Sequence, residues 1–195
     1  MIVLITGPSG AGKSTVIGSL MESDPRLAFS VSTTTRPMRE GEAQGVDYDF
    51  VDEAAFDGLG AADAFVEWAH VHGHRYGTRR DHLDAMTKAG KIPVLDIDVQ
   101  GGAQVIPKFG EELVSVFLFP PSWQALEERL RGRATDADDV IEGRLKTARL
   151  EIGFADRYTY WVVNGDLEAT VDRLRAVIAA EEVRARALTA PPLAP

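Results

Sequence analysis

The chain has 195 residues, of which 45% are hydrophobic and 26% are charged. This length and composition predict one folded domain with a sizeable core and argue against a disordered chain. Cysteine is absent, which excludes a disulfide framework, a zinc finger and a cysteine nucleophile. Asp and Glu outnumber Lys and Arg by 30 to 21, and the formal net charge is -9, so a general nucleic-acid-binding surface is not expected.

The N-terminal segment alternates strand-like and helix-like patterns. Residues 2–5 form an apolar run that predicts a buried parallel strand, and residues 12–22 have the apolar spacing of a helix. Residues 29–33 alternate as a second strand. The apolar start is too short for a signal peptide or a membrane span, so no membrane association is expected.

Residues 34–81 differ from the preceding segment in composition and pattern, with polar, glycine-rich turns between aromatic segments. Residues 48–51 and 65–71 are predicted to be antiparallel strands, connected through a helix over 53–59. This change in pattern predicts an inserted subdomain.

Regular alternation of helices and strands returns after residue 81. The predicted helices are 81–89, 101–108, 123–131, 140–158 and 167–186, and the predicted strands are 92–97, 114–119 and 161–163. Strands that alternate with helices predict an α/β fold, with a parallel sheet and right-handed crossovers.

A glycine-rich loop follows the first predicted strand and precedes the first predicted helix. It fits the pattern G-x-x-x-x-G-K-[ST] over Gly7, Pro8, Ser9, Gly10, Ala11, Gly12, Lys13 and Ser14. Glycines let successive backbone N–H groups point at one anion, and the helix N-terminus adds a positive dipole. The loop predicts a nucleoside triphosphate site, with Lys13 on the β- and γ-phosphates and Ser14 on Mg²⁺.

Two arginines, Arg36 and Arg39, lie beside hydroxyl side chains at residues 32–35. Guanidinium groups form paired hydrogen bonds to the oxygens of a phosphate monoester. Taken alone, the segment is better explained as a solvated charged loop.

Several motifs, in register from about residue 2 to about residue 180, together resemble the guanylate kinase family. Besides the phosphate loop they are residues 29–42 with Asp47-Tyr48, Phe65-Val66-Glu67-Trp68, Arg75-Tyr76-Gly77-Thr78 and residues 94–101. The resemblance implies a three-layer P-loop kinase fold of the α/β class, with a parallel core sheet, an inserted GMP-binding subdomain and a small lid. The implied division of one domain 1–195 is core 1–33, 82–131 and 145–186, GMP-binding subdomain 34–81, lid 132–144 and a disordered tail 187–195.

The resemblance also implies residues that bind GMP. Its 5′-phosphate would be held by Arg36, Arg39, Tyr48 and Tyr76, and its guanine would be surrounded by Ser32, Glu67, Thr78 and Asp98. A carboxylate accepts both N1–H and the 2-amino group of guanine, whereas adenine would leave it unpaired, which supports Glu67. A hydroxyl of Ser32 or Thr78 would donate to guanine O6. The alternative for Glu67 is an exposed strand charge.

On the donor side, the resemblance implies that ATP is held by the phosphate loop and Thr15, and that adenine is contacted at Asn164 and Gly165. Charge on the moving phosphoryl group would be stabilised by Lys13, Arg39 and two lid arginines, Arg133 and Arg144, with Arg129 as a weaker candidate.

Asp96 and Asp98 end an apolar strand, where open α/β sheets bind their ligands. The expected metal is Mg²⁺, held by Ser14 directly and by Asp96 through water. The alternative for the two aspartates is a strand-end cap or a structural ion pair.

The sequence therefore predicts an ATP-dependent enzyme that phosphorylates GMP, and dGMP with it, in the cytoplasm. Two alternatives stay open. A guanylate-kinase-like scaffold would bind phosphopeptides, but such domains typically lack the equivalents of Lys13, Arg133 and Arg144, which are present here. A related P-loop kinase would act on a sugar phosphate or another nucleotide.

Overall fold

The computed structural model describes residues 1–71, 73–132 and 138–184. The strands in these residues are β1 (Ile2–Thr6), β2 (Leu27–Phe29), β3 (Thr33–Thr34), β4 (Asp49–Phe50), β5 (Phe65–Val71), β6 (His74–Arg79), β7 (Ile92–Asp96), β8 (Leu113–Phe119) and β9 (Tyr160–Val163). The helices are α1 (Lys13–Ser23), α2 (Glu53–Ala61), α3 (Arg80–Lys88), α4 (Val99–Phe109), α5 (Trp123–Arg131), α6 (Asp138–Ile152) and α7 (Leu167–Glu182). Two short 3₁₀ helices span Gly110–Glu112 and Ala155–Arg157.

The core is a five-stranded parallel sheet in the order β2-β7-β1-β8-β9. All five residues of β1 are buried, as expected of a central strand covered on both faces. Val3 and Ile5 pack with α1 and α7 on one face, whereas Ile2 and Leu4 pack with residues of α3 and α4 on the other. The α/β fold with a parallel central sheet, predicted from the sequence, is confirmed.

A second sheet, in the order β4-β3-β6-β5, stands at the carboxyl ends of the core strands. The predicted pairing of residues 48–51 with 65–71 is wrong, because β4 and β5 lie at opposite edges of this sheet. The strand β6, which the sequence pattern did not indicate, pairs antiparallel with both β3 and β5. The single strand predicted over 29–33 is also wrong, since the chain leaves the core sheet after Phe29 and enters the second sheet at Thr33.

The long helix predicted over 140–158 is shorter in the structure. The helix α6 ends at Ile152, where Gly153 donates its N–H to Leu150 O in a tight last turn. The predicted tail 187–195 and residues 133–137 of the predicted lid lie outside the described residues. The division into core, GMP-binding subdomain and lid stays a prediction.

Parallel strands bring their carboxyl ends to one edge of a sheet, and the predicted site residues follow these ends. The phosphate loop follows β1, Asp96 ends β7, and Asn164 follows β9. Thr6 at the end of β1 donates its hydroxyl to Ile97 O over 3.0 Å, which ties two of these connections together.

Gly58→Ala should stabilise the protein. Gly58 lies inside α2, and a Cβ built on it meets nothing within 4 Å. Alanine loses less backbone entropy than glycine in a helix, so the free energy of unfolding is expected to rise by roughly 0.5–1 kcal/mol. Urea denaturation measures the change, and a variant less stable than the parent would contradict the structure of α2.

Candidate active site

A cavity of about 390 Å³ lies where the phosphate loop, the second sheet and the end of β7 meet. It brings together these predicted site residues: Gly7, Pro8, Ser9, Gly10, Gly12, Lys13, Ser14, Thr15, Ser32, Tyr48, Glu67, Tyr76, Asp96 and Asp98. Both halves of the predicted site, for a triphosphate and for an acceptor, therefore face one continuous space.

The phosphate loop has the backbone conformation that an anion site requires. Gly10 and Gly12 have φ angles of 88° and 90°, in the left-handed region that favours glycine. Gly12 caps α1 without a side-chain hydrogen bond, so the first amides of the helix are directed at the loop. Lys13 folds back over the loop and donates from Nζ to Gly7 O over 2.8 Å.

The carbonyl of Ala11 is the point at which the rest of the protein holds the loop. It accepts from Asn164 Nδ2 at 2.7 Å and from Arg129 Nη1 at 3.2 Å. Arg129 also donates from Nη2 to Asn164 O at 3.1 Å. Both residues border a second cavity of about 330 Å³, together with Gly10, Gly12, Thr15, Gly165 and Leu167. Ala11 itself is buried. Arg129 therefore stabilises the conformation of the loop through its hydrogen bond to Ala11 O.

Glu67 is buried in the wall of the first cavity, with 4% of its surface exposed. Thr78 donates its hydroxyl to Glu67 Oε1 over 2.6 Å. Burial raises the pKa of the Glu67 carboxyl to about 7, and the hydrogen bond from Thr78 opposes this shift. The single hydroxyl proton of Thr78 serves Glu67, whereas the other predicted hydroxyl at this end of the site, that of Ser32, belongs to a residue that lines the cavity.

The predicted phosphate-binding arginines do not line this cavity. Arg36 is buried, and its guanidinium forms a bidentate pair with Glu42, at 2.7 Å from Nη2 and 3.0 Å from Nη1. The ring of Tyr48 lies 5.2 Å from its centre. Arg39 is exposed, and its backbone N–H donates to Glu42 Oε2 over 2.8 Å.

Glu42 is a functional candidate that the sequence analysis missed. Its side chain fixes both arginine positions, and the hydrogen bonds from Arg36, then from the Arg39 backbone, lower the pKa of its carboxyl. The signal in the sequence was its position six residues after Arg36, which alone does not distinguish an ion pair from a solvated loop.

The two aspartates after the apolar strand have different roles. Asp98 caps α4, accepting from the backbone N–H groups of Gln100 and Gly101 at 3.1 Å and 2.9 Å. Asp98 is thus the N-cap of α4, a role that the sequence analysis did not name, and its side chain also borders the cavity. Burial raises the pKa of Asp96, and the positive charge of Lys13 opposes that shift.

Glu151, on α6, is a fourth acidic residue of the cavity wall that no motif indicated. Burial raises the pKa of its carboxyl, and Lys13 opposes the shift. Its Oε2 has no hydrogen-bond partner among the residues that the structure describes. The packing of α6 brings it there, and the sequence pattern marks it only as one position of an amphipathic helix.

The donor set suits a hard cation that arrives with phosphates. The carboxylate of Asp96 and the hydroxyl of Ser14 line the same cavity, and oxygen ligands are those that Mg²⁺ prefers. Within residues 1–71, 73–132 and 138–184, no group of three or more His, Cys, Asp or Glu is arranged to hold a metal by itself.

The two predicted lid arginines are placed differently. Arg144 lies half-buried on α6 and is not part of the cavity wall. Arg133 lies outside the described residues.

A parallel core sheet with a glycine-rich loop and lysine at the end of its first strand defines the class of P-loop proteins, which bind nucleoside triphosphates. A family model described as guanylate kinase matches residues 1–181. The chain is 43% identical over 186 residues to a guanylate kinase of Sphingopyxis alaskensis, covering 95% of this chain and 84% of that protein. It is 45% identical over 184 residues to a guanylate kinase of Rhodopseudomonas palustris, covering 94% and 84%.

The solved structures agree with the relatives. The crystal structure of guanylate kinase from Anaplasma phagocytophilum matches with a TM-score of 0.78 at 36% identity, covering 95% of this chain and 87% of that one. The chain belongs to the guanylate kinase family. The sequence resemblance is thereby confirmed, and with it the expectation of a nucleoside monophosphate kinase. In the part of the chain that is described, no helix is long and apolar enough to span a membrane.

Glu67→Gln should change the stability of the protein in a pH-dependent way. The pKa of Glu67 is about 7 in the folded state against an ordinary value of 4.5, so folding favours the protonated form. The free energy of unfolding of the parent protein should therefore fall as the pH rises from about 4.5 through about 7. Glutamine does not ionise, and the variant should exceed the parent in stability above pH 7 by at most about 3 kcal/mol.

Urea denaturation at about pH 5 and about pH 8 measures this difference. Glu40→Gln, at an exposed position of the same subdomain, is the matched control and should show little change. If the difference in the free energy of unfolding between Glu67→Gln and the parent is the same at both pH values, Glu67 ionises in the folded protein without a free-energy cost.

Proposed function

We propose that the protein transfers the γ-phosphoryl group of ATP to GMP, forming ADP and GDP. The observation that carries this proposal is the buried carboxylate of Glu67 in the same cavity as the phosphate loop. Guanine presents N1–H and a 2-amino group side by side, and one carboxylate accepts both. Adenine has an acceptor at N1, so it would leave this carboxylate desolvated and unpaired.

The phosphate loop would hold the donor. Its backbone amides and Lys13 neutralise the leaving β-phosphate side, and the Nζ of Lys13 has further N–H groups besides the one on Gly7 O. Adenine would lie in the smaller cavity bordered by Asn164 and Gly165. Gly165 has no side chain, so we expect a contact between adenine and that position to come from the backbone of Gly165.

The acceptor phosphate would be aligned by Arg36, Arg39, Tyr48 and Tyr76. Glu42 uses one edge of the Arg36 guanidinium, and this holds the group in a fixed orientation. The guanine would be surrounded by Glu67, Ser32 and Asp98, with Thr78 acting through Glu67. The phosphate of GMP is already ionised at neutral pH, so no general base is needed.

Phosphoryl transfer asks the protein mainly for alignment and for positive charge around the transferred group. We assign that charge to Lys13, Arg39, Arg133 and Arg144. The cavity wall itself carries four acidic side chains beside Lys13, so the arginines would have to reach the phosphates as the acceptor subdomain and the lid close. Closure would also exclude water, which would otherwise hydrolyse ATP.

Ser14 would bind Mg²⁺ directly, and Asp96 would bind it through water. The bound ion would supply charge neutralisation between the β- and γ-phosphates. We further propose that dGMP is accepted, that the reaction belongs to purine nucleotide metabolism, and that the protein acts in the cytoplasm.

The sharpest test compares acceptors in one coupled assay of ADP release. With ATP and Mg²⁺, kcat/KM for GMP should exceed that for AMP, UMP and a ribose bisphosphate by a factor on the order of a hundred or more. A preference for the ribose bisphosphate would favour the related kinase instead. Absence of turnover with every acceptor, combined with binding of a phosphopeptide, would favour the scaffold.

Lys13→Ala should lower kcat by orders of magnitude while the Kd for GMP stays near that of the parent, because Lys13 contacts the transferred group. Single-turnover kinetics and calorimetric titration with GMP measure the two quantities. The exposed Lys88→Ala, on α3, is the matched control. Near-parental turnover of Lys13→Ala would remove this lysine from the mechanism.

A further inference from the structure

Helix α4 and strand β5 are joined by a regular series of side-chain hydrogen bonds. Three residues spaced four apart on the helix donate to carbonyls spaced two apart on the strand: Gln100 Nε2 to His70 O at 3.2 Å, Gln104 Nε2 to Trp68 O at 2.8 Å and Lys108 Nζ to Val66 O at 2.5 Å. Four helical residues advance about 6 Å and two strand residues about 6.6 Å, so the two repeats match along the seam.

This seam fixes how closely α4 approaches Glu67. The carboxylate lies against the first turn of the helix at Gly101. A Cβ built on Gly101 would stand 2.6 Å from Glu67 Oε2, well inside van der Waals contact, and 3.1 Å from both Glu67 Cδ and Ile97 Cδ1. Because α4 is held to β5 on both sides of this point, a clash there would be relieved by moving the side chain of Glu67.

The backbone of Gly101 does not itself require glycine. Its φ angle lies outside the left-handed region that favours glycine, and its N–H donates to Asp98 Oδ1 over 2.9 Å as part of the helix cap. Alanine is the better helix former, so helical propensity alone would favour a side chain here. Glycine at position 101 instead leaves free the space that the carboxylate of Glu67 occupies.

We propose that Gly101 is a specificity-determining residue: the lack of a side chain at this position of α4 lets the carboxylate of Glu67 stand where it pairs with the base of the acceptor nucleotide. The inference rests on the proposed function for the identity of that base, while the contact between Gly101 and Glu67 stands on the geometry alone. Thr78 holds one carboxylate oxygen and Gly101 makes room for the other.

The first test measures acceptor use by Gly101→Ala in the full chain. KM for GMP should rise at least tenfold with a smaller change in kcat, and the KM for ATP should stay within twofold of the parent. The preference for GMP over inosine monophosphate, which lacks the 2-amino group, should narrow. Gly58→Ala, in open space on α2, is the matched control and should leave all four values unchanged.

A stability cycle tests the contact independently of activity. Gly101→Ala should lower the urea midpoint clearly when Glu67 is present and much less in a Glu67→Ala background, where only the contact with Ile97 Cδ1 is left to relieve. Equal shifts in both backgrounds, or an unchanged KM for GMP in Gly101→Ala, would overturn the proposal. If Gly101→Ala alone fails to fold, folding of the double variant supports the contact and its failure to fold overturns it.

The two claims fail in different ways. A parent protein that does not phosphorylate GMP would remove the proposed function, whereas the stability cycle would still report on Gly101 and Glu67. A parent that is active on GMP, with an indifferent Gly101→Ala variant, would remove the role of Gly101 and leave the function standing.

Discussion

The burial of one carboxylate governs most of what is distinctive in this molecule. Glu67 lies 4% exposed with a neutral hydroxyl as its hydrogen-bond donor, and burial raises its pKa to about 7. A buried carboxylate paired with a cation would have its charge already compensated. Left without that pairing, Glu67 gains most from a ligand that brings two N–H donors, and guanine is such a ligand. The proposed selectivity for guanine would thus follow from the cost of burying this carboxylate with only a neutral hydroxyl beside it.

The free-energy cost of burying Glu67 gives a role to the hydrogen bonds that join the second sheet to α4. A carboxylate that is destabilised by burial would move toward solvent if its strand were free to shift. The bulge between Phe65 and Glu67 in the pairing with β6 sets Glu67 opposite Thr78, and the seam to α4 prevents β5 from withdrawing. Two different elements therefore hold Glu67. The pairing of β5 with β6 supplies its hydrogen bond from Thr78, and α4 keeps β5 in place so that the carboxylate stays buried.

Much of this arrangement could be predicted from the sequence, because the relevant signals are local. The phosphate loop is a contiguous pattern, and the alternation of apolar segments is enough to predict a parallel α/β core. The features that the sequence did not predict depend on contacts between residues that are far apart in the chain. The segment 74–79 is polar and carries no apolar alternation, yet β6 forms a strand because β3 and β5 supply its hydrogen bonds. Glu151 reaches the site only through the packing of α6, which no spacing in the sequence encodes.

The arginines show why residue identity alone did not place the charges of the site. The sequence resemblance assigns several cations of this acidic chain, among them Lys13 and Arg36, to the phosphates of two nucleotides. In the structure the cations are instead held by acceptors of the protein itself: Lys13 by Gly7 O, Arg36 by Glu42 and Arg129 by Ala11 O. Such internal pairing fixes each cationic group before a phosphate arrives, so less side-chain entropy is lost on binding. A guanidinium has five N–H groups and an ammonium three, so the bonds named here do not exhaust the donors of these cations, as the proposed phosphate contacts require.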